Sequence, residues 1–175
     1  MRKLTQLALL CAALLPAACA SDAHKLYTHD GPEYKALCSA LASDPAEGVR
    51  LSAAQALANM GYGAANAPLA KALTDDSSAD VRRKAAELLE HVNNIDRETD
   101  WRQTISEQRP EVNALLSALS SDKDASVRAS SARAMRKFRD RRIPPALAQA
   151  LSTDKDSDVR AAASESLGLL GSARP

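Results

Sequence analysis

Aromatic residues make up only 3% of this 175-residue chain, so no core can be built around stacked rings. β-Branched residues are sparse and scattered, and no alternating apolar run emerges from them, which excludes a sheet. Three cysteines cannot make a disulfide framework. Cys11 falls in an apolar leader and Cys19 at its end, and Cys38 alone remains, a small apolar residue rather than a nucleophile. Neither sign of charge dominates, since the formal net charge is +1, and no bulk field for nucleic acid follows. No HExxH, CxxC, glycine-rich phosphate loop or GxSxG occurs. The histidines are His24, His29 and His91. The first two, with Asp22 and Asp30, form a weak metal signal in a polar segment, so neither metal nor cofactor nor catalytic residue is expected. What the chain does have is 45% apolar residues, mainly alanine and leucine, the strongest intrinsic helix formers.

The N-terminus does not belong to that helical material. Met1-Arg2-Lys3 is a short positive region, and Leu4 to Leu15 is an apolar run too short to span a bilayer, which together read as a signal peptide over residues 1–18. Leu15-Pro16-Ala17-Ala18-Cys19 resembles a bacterial lipobox, with Pro16 where that motif usually carries leucine, and this is the preferred reading. It makes Cys19 the lipidated first residue of the mature chain. Ala18-Cys19-Ala20 also satisfies ordinary signal cleavage, which would leave a soluble periplasmic protein. Ala20 and Ser21 lack the aspartate of an inner-membrane retention signal, so by analogy the lipoprotein form would face the periplasm from the outer membrane. Residues 19–31 read as a flexible tether. Without Arg2 and Lys3 the chain carries 21 basic and 22 acidic residues and is near neutral.

The remainder repeats. Val-Arg recurs at Val49-Arg50, Val81-Arg82, Val127-Arg128 and Val159-Arg160, in steps of 32, 46 and 32 residues. Twelve and eight residues before each valine stand leucines: Leu37 and Leu41, Leu69 and Leu73, Leu115 and Leu119, Leu147 and Leu151. Nine before it is alanine (Ala40, Ala72, Ala118, Ala150), and five before it is aspartate (Asp44, Asp76, Asp122, Asp154). Five, eight and eleven residues after it come Ala54, Leu57 and Met60; Ala86, Leu89 and Val92; Ala132, Met135 and Phe138; Ser164, Leu167 and Leu170. Offsets of 0, 4, 8 and 11 share one face of a 3.6-residue helix and cannot share one face of a strand. Each unit is therefore a helix pair. The upstream helices are expected at about 33–42, 65–74, 110–120 and 145–152, and the downstream ones at about 46–60, 78–93, 124–138 and 156–170. A short Asp/Ser turn separates them, its side-chain oxygens facing the orphan amides of the second helix. Asp44-Pro45-Ala46-Glu47 reads as the clearest cap, with proline at the first helical position and glutamate at the third.

This unit resembles the short bacterial HEAT-like repeat, the kind also found in phycobilisome lyases, over residues 32–171. The resemblance implies a right-handed, all-α solenoid of four helix pairs, at about 32–62, 63–94, 109–140 and 141–171. It also implies a structural ladder in which Asp44, Asp76, Asp122, Asp154 and Arg50, Arg82, Arg128, Arg160 are rungs, and a concave side lined by downstream helices. It brings no catalytic residue, and the His-Glu pairs of HEAT-like hydroxylases are missing.

The 46-residue step exceeds the others by 14, matching an insertion over 95–108 that holds Trp101, the only tryptophan. Its conformation, loop or extra helix, is open, and an insertion in a solenoid often marks a binding edge. Between residues 128 and 142 seven basic residues (Arg128, Arg133, Arg136, Lys137, Arg139, Arg141, Arg142) face the single acid Asp140. From Glu87 to Glu107 the balance is opposite: Glu87, Glu90, Asp96, Glu98, Asp100 and Glu107 outnumber Arg97 and Arg102. The blocks either neutralise each other or leave Arg133, Arg136, Lys137 and Arg139, beside Trp101, as a partner-binding patch. The function expected is a non-catalytic scaffold at the cell envelope, with a protein or an anionic envelope component as partner and no nucleic acid. The alternative is a lyase-like or other enzyme accessory with a ligand site in the concave face.

Overall fold

A computed structural model describes residues 31–60, 63, 65–92 and 109–172. Residues 1–30, with Cys19, His24 and His29, and the insertion 95–108, with Trp101, lie outside the described residues. Eight helices and no strand occur among the described residues: α1 (Pro32–Ser43), α2 (Glu47–Met60), α3 (Asn66–Asp75), α4 (Ala79–His91), α5 (Pro110–Ser121), α6 (Ala125–Met135), α7 (Ile143–Thr153) and α8 (Ser157–Ser172). Proline stands in the first turn of α1, α5 and α7, where a missing N–H breaks no helical bond. For α7 that places the start at Ile143, two residues before the expected 145, because Pro144 and Pro145 fit the first turn. Gly63, at φ +71°, makes the left-handed turn between α2 and α3.

Each pair stacks on the next to give two layers, α1, α3, α5 and α7 in one and α2, α4, α6 and α8 in the other. The even layer packs more closely, with α6 held between α4 and α8. This is an α-solenoid. Its core is the repeated pattern itself. Leu57, Leu69, Leu73, Val81, Leu89, Leu115, Val127, Met135, Leu147 and Val159 are all fully buried, with alanines between them that allow close helix approach. Cys38 is partly buried against this core. Ser131 sits where the other repeats have Ala53, Ala85 and Ala163, and its buried hydroxyl finds no partner among the described residues.

Two expectations need correction. The third downstream helix does not run to residue 138: α6 ends at Met135, and the amides of Arg136, Lys137 and Phe138 donate three residues back, to Arg133, Ala134 and Met135. That tighter turn still delivers Phe138 to the core, 2% exposed and under the Arg109 guanidinium at 5.9 Å from its ring centroid. Nor is Asp44 the N-cap of the second helix. Its amide donates to Ala40 and ends α1, while its carboxylate accepts from the Ala46 amide at 2.9 Å. The cap position belongs to the residue two further on. Ser78, Asp124 and Asp156 hold it in the later repeats and accept from the amides that follow, whereas the first repeat has Ala46 there, with no side-chain oxygen to offer.

Candidate functional site: the turn ladder and the even face

The repeated aspartate does three jobs at once, and its surroundings explain each. Its extended backbone, with φ near −66° and ψ near 135°, stops the upstream helix. Its Oδ1 accepts the amide two residues on, at 2.9 Å for Asp44, 2.8 Å for Asp76 and 2.9 Å for Asp122 and Asp154. In Asp76, Asp122 and Asp154 both oxygens then face the arginine of the preceding repeat. Arg50 donates from Nε and Nη2 to Asp76 at 2.8 and 3.0 Å, Arg82 to Asp122 at 2.7 and 3.0 Å, and Arg128 to Asp154 at 2.8 and 2.9 Å. The remaining Nη1 of each arginine donates to the carbonyl of its own repeat's aspartate, at 2.9, 3.0 and 2.9 Å. One guanidinium thus ties two turns together in a bidentate, charge-assisted geometry. The Arg82–Asp122 rung spans the insertion without altering that geometry.

The rungs are nearly dry, with side-chain exposures of 6% and 8% for Arg82 and Asp122 and 7% and 10% for Arg128 and Asp154. Burial presses the Asp122 carboxyl upward, but hydrogen bonds from Arg82 and the Asp124 amide, with the Arg82 charge, outweigh it and hold it below the ordinary aspartate value. The hydrogen bond from Arg128 does the same for Asp154 against a smaller burial effect. The guanidiniums of Arg82 and Arg128 are pushed up in return, chiefly by the hydrogen bonds to those aspartates. Two clefts of about 290 and 340 Å³ flank the central and third rungs, and their charged lining includes these same paired side chains.

The basic segment is distributed rather than massed. Arg128 is a rung. Arg136, at the end of α6, joins Glu90 of α4 and reaches Glu165 of α8 at 3.3 Å, so it clamps three even helices. Arg142 pairs with Asp140 at 2.7 Å and donates to Asn113 at 2.8 Å. Arg133, Lys137 and Arg139 make no ion pair among the described residues; Lys137 and Arg139 are exposed and Arg133 is half-buried. Arg133 is also the only side chain between Val127 and Met135 that is not buried, so beyond the exposed Ser126 of the first turn it is what α6 shows to solvent. Of the acidic block, Glu87 pairs with Arg83 at 2.7 Å and Glu90 with Arg136; its later members lie outside the described residues. His91 ends α4 and is exposed. No group of three metal-ligating side chains occurs among the described residues, and no described helix is long and apolar enough to cross a membrane.

The stacked pairs and repeated turn define a repeat protein of the HEAT type, and the family model for HEAT repeats matches residues 26–100 and 112–175. The chain belongs to the HEAT-repeat family. HEAT repeats commonly act as protein-interaction scaffolds. No curated protein matches the sequence.

Proposed function

We propose that the chain is a non-catalytic scaffold, tethered by a lipid on Cys19 to the periplasmic side of the bacterial outer membrane, that binds a protein partner on its even-helix face. The observation that carries the reading is the burial of α6: three consecutive even helices close into one wall, with Arg133 its outward basic side chain and Lys137 and Arg139 at its edge. Such a wall suits a broad protein surface more than a small molecule, since the arginines and aspartates that line the clefts beside the ladder already bind each other in the rungs. That favours scaffold over lyase-like accessory. The charge at the wall's edge selects a partner with an acidic surface.

The test is recovery of the partner from bacterial membranes with the full chain, after cross-linking. Cys19→Ser should move the protein from the membrane fraction to the soluble periplasm. The triple variant Arg133→Gln, Lys137→Gln, Arg139→Gln should lose the partner with its thermal unfolding midpoint unchanged. A soluble wild-type protein would sink the anchor, and undiminished partner recovery by the triple variant at low salt would sink the binding surface.

A further inference from the structure

The ladder has two unfinished ends. Arg160 is the fourth arginine of the series, and its Nη1 donates to the Asp154 and Lys155 carbonyls at 2.9 and 3.1 Å, as in every internal rung. No carboxylate among the described residues meets its Nε and Nη2. At the opposite end Asp44 has its Oδ1 on the Ala46 amide, as its three counterparts do, and no arginine among the described residues reaches its carboxylate; Arg50 meets only its backbone carbonyl. Each end is half of a rung, already held in the pose that the internal halves adopt.

The apolar contacts around the rung are unfinished in the same sense. The valine of the motif is fully buried in Val81, Val127 and Val159, which have a repeat before them, yet Val49 is 42% exposed. The leucine eight residues before it is at most 4% exposed in Leu41, Leu73 and Leu119, which have a repeat after them, yet Leu151 is 37% exposed. Solenoids ordinarily end in a polar capping repeat. Here the described ends carry motif leucine and valine, with opposite charges beside them.

We propose that copies of this chain stack head to tail, the Arg160 fork of one closing on Asp44 of the next while Leu151 covers Val49. The joint reproduces the three inside the chain, with the charge pair setting the register and the leucine and valine removed from water. Because both half-rungs are held by their own turns before they meet, little side-chain freedom is lost on joining. The contact is heterologous, between different faces of identical copies, so it builds an open row rather than a closed dimer. It leaves the even-helix wall uncovered and does not depend on the proposed partner.

Sedimentation of the full chain, exported and processed by the cell with Cys19→Ser so that no acyl chain drives association, reads this directly. The sedimentation coefficient should rise with concentration without levelling at a dimer, and should fall with added salt. Asp44→Arg and Arg160→Asp should each weaken self-association roughly tenfold or more, since like charges then meet at the joint. Mixing the two variants in equal amounts should restore it, because each then offers the end the other lacks. Val49→Lys, at an exposed position with no rung to disturb, should weaken association too, and circular dichroism checks that each variant is helical. A Cys19→Ser chain, otherwise unchanged, that stays monomeric up to millimolar concentration, a plateau at the dimer, or an equal mixture no better than either variant alone would overturn the proposal.

Discussion

Ala46 is the residue at which the four turns differ most in local chemistry. Its counterparts Ser78, Asp124 and Asp156 accept the free amides at the start of the following helix, and an alanine methyl cannot. Ala46→Asp should therefore raise stability by about 1 kcal/mol, through the cap and through a negative charge at a helix N-terminus. Urea unfolding followed by helical signal would measure it; no gain would mean that the first turn differs from the other three in backbone as well as in side chain. The misassignment of Asp44 as the cap has its cause at this scale. In sequence, Asp-Pro-x-Glu has the spacing of a capping box, but the aspartate is already committed by its backbone to the end of α1 and by its Oδ1 to Ala46. Three copies with a second oxygen-bearing residue two positions on were the signal that pointed to the right place.

At the scale of the helix, one motif position has different worth in different copies. Leu119 of α5 is 4% exposed and Leu151 of α7 is 37% exposed, though both stand eight residues before their valine. Leu119→Ala should cost about 2–5 kcal/mol, the range for a buried leucine whose cavity does not collapse. Leu151→Ala should cost under about 1 kcal/mol in the dilute monomer, because much of its surface is already in water. Denaturant titration of the two variants at low concentration makes the comparison, and equal losses would show that α7 has a neighbour at the outer end. Helix identity and pairing were legible from the 3.6-residue periodicity. The end of α6 was not: Phe138 continues the apolar offset, and only the tight turn after Met135 shows that burial can persist once the α-helix has stopped.

For the whole molecule the ladder makes stability depend on acid. Asp122 and Asp154 are held below the ordinary aspartate value in the folded chain, as are Asp140, chiefly by the hydrogen bond from Arg142, and Asp124, chiefly by the Ser126 hydroxyl. The unfolded chain therefore takes up protons at higher pH than the folded one. Their stabilisation is complete above the ordinary value of about 4 and is lost as pH falls through the lower folded values. The thermal midpoint should stay flat from neutrality to about pH 5 and drop steeply below about pH 4, and Asp122→Asn should lower it at neutral pH while flattening the acid slope. An unchanged slope in that variant would remove the central rung from the explanation. The basic segment shows why such pairings need coordinates. Composition alone made Arg136 one of a patch of equals with Arg133, Lys137 and Arg139, while the fold brings Glu90 and Glu165 to it from helices 46 and 29 residues away. The sequence by itself determined the helix pairs, their core faces and the aspartate–arginine register, because these depend on spacing along the chain and recur four times. Only the tertiary structure decided which charges are neutralised, which cap serves which helix and which copies of a motif residue are left in water, because each depends on what lies across the stack, and among the described residues the first and last repeats have a neighbour on one side alone.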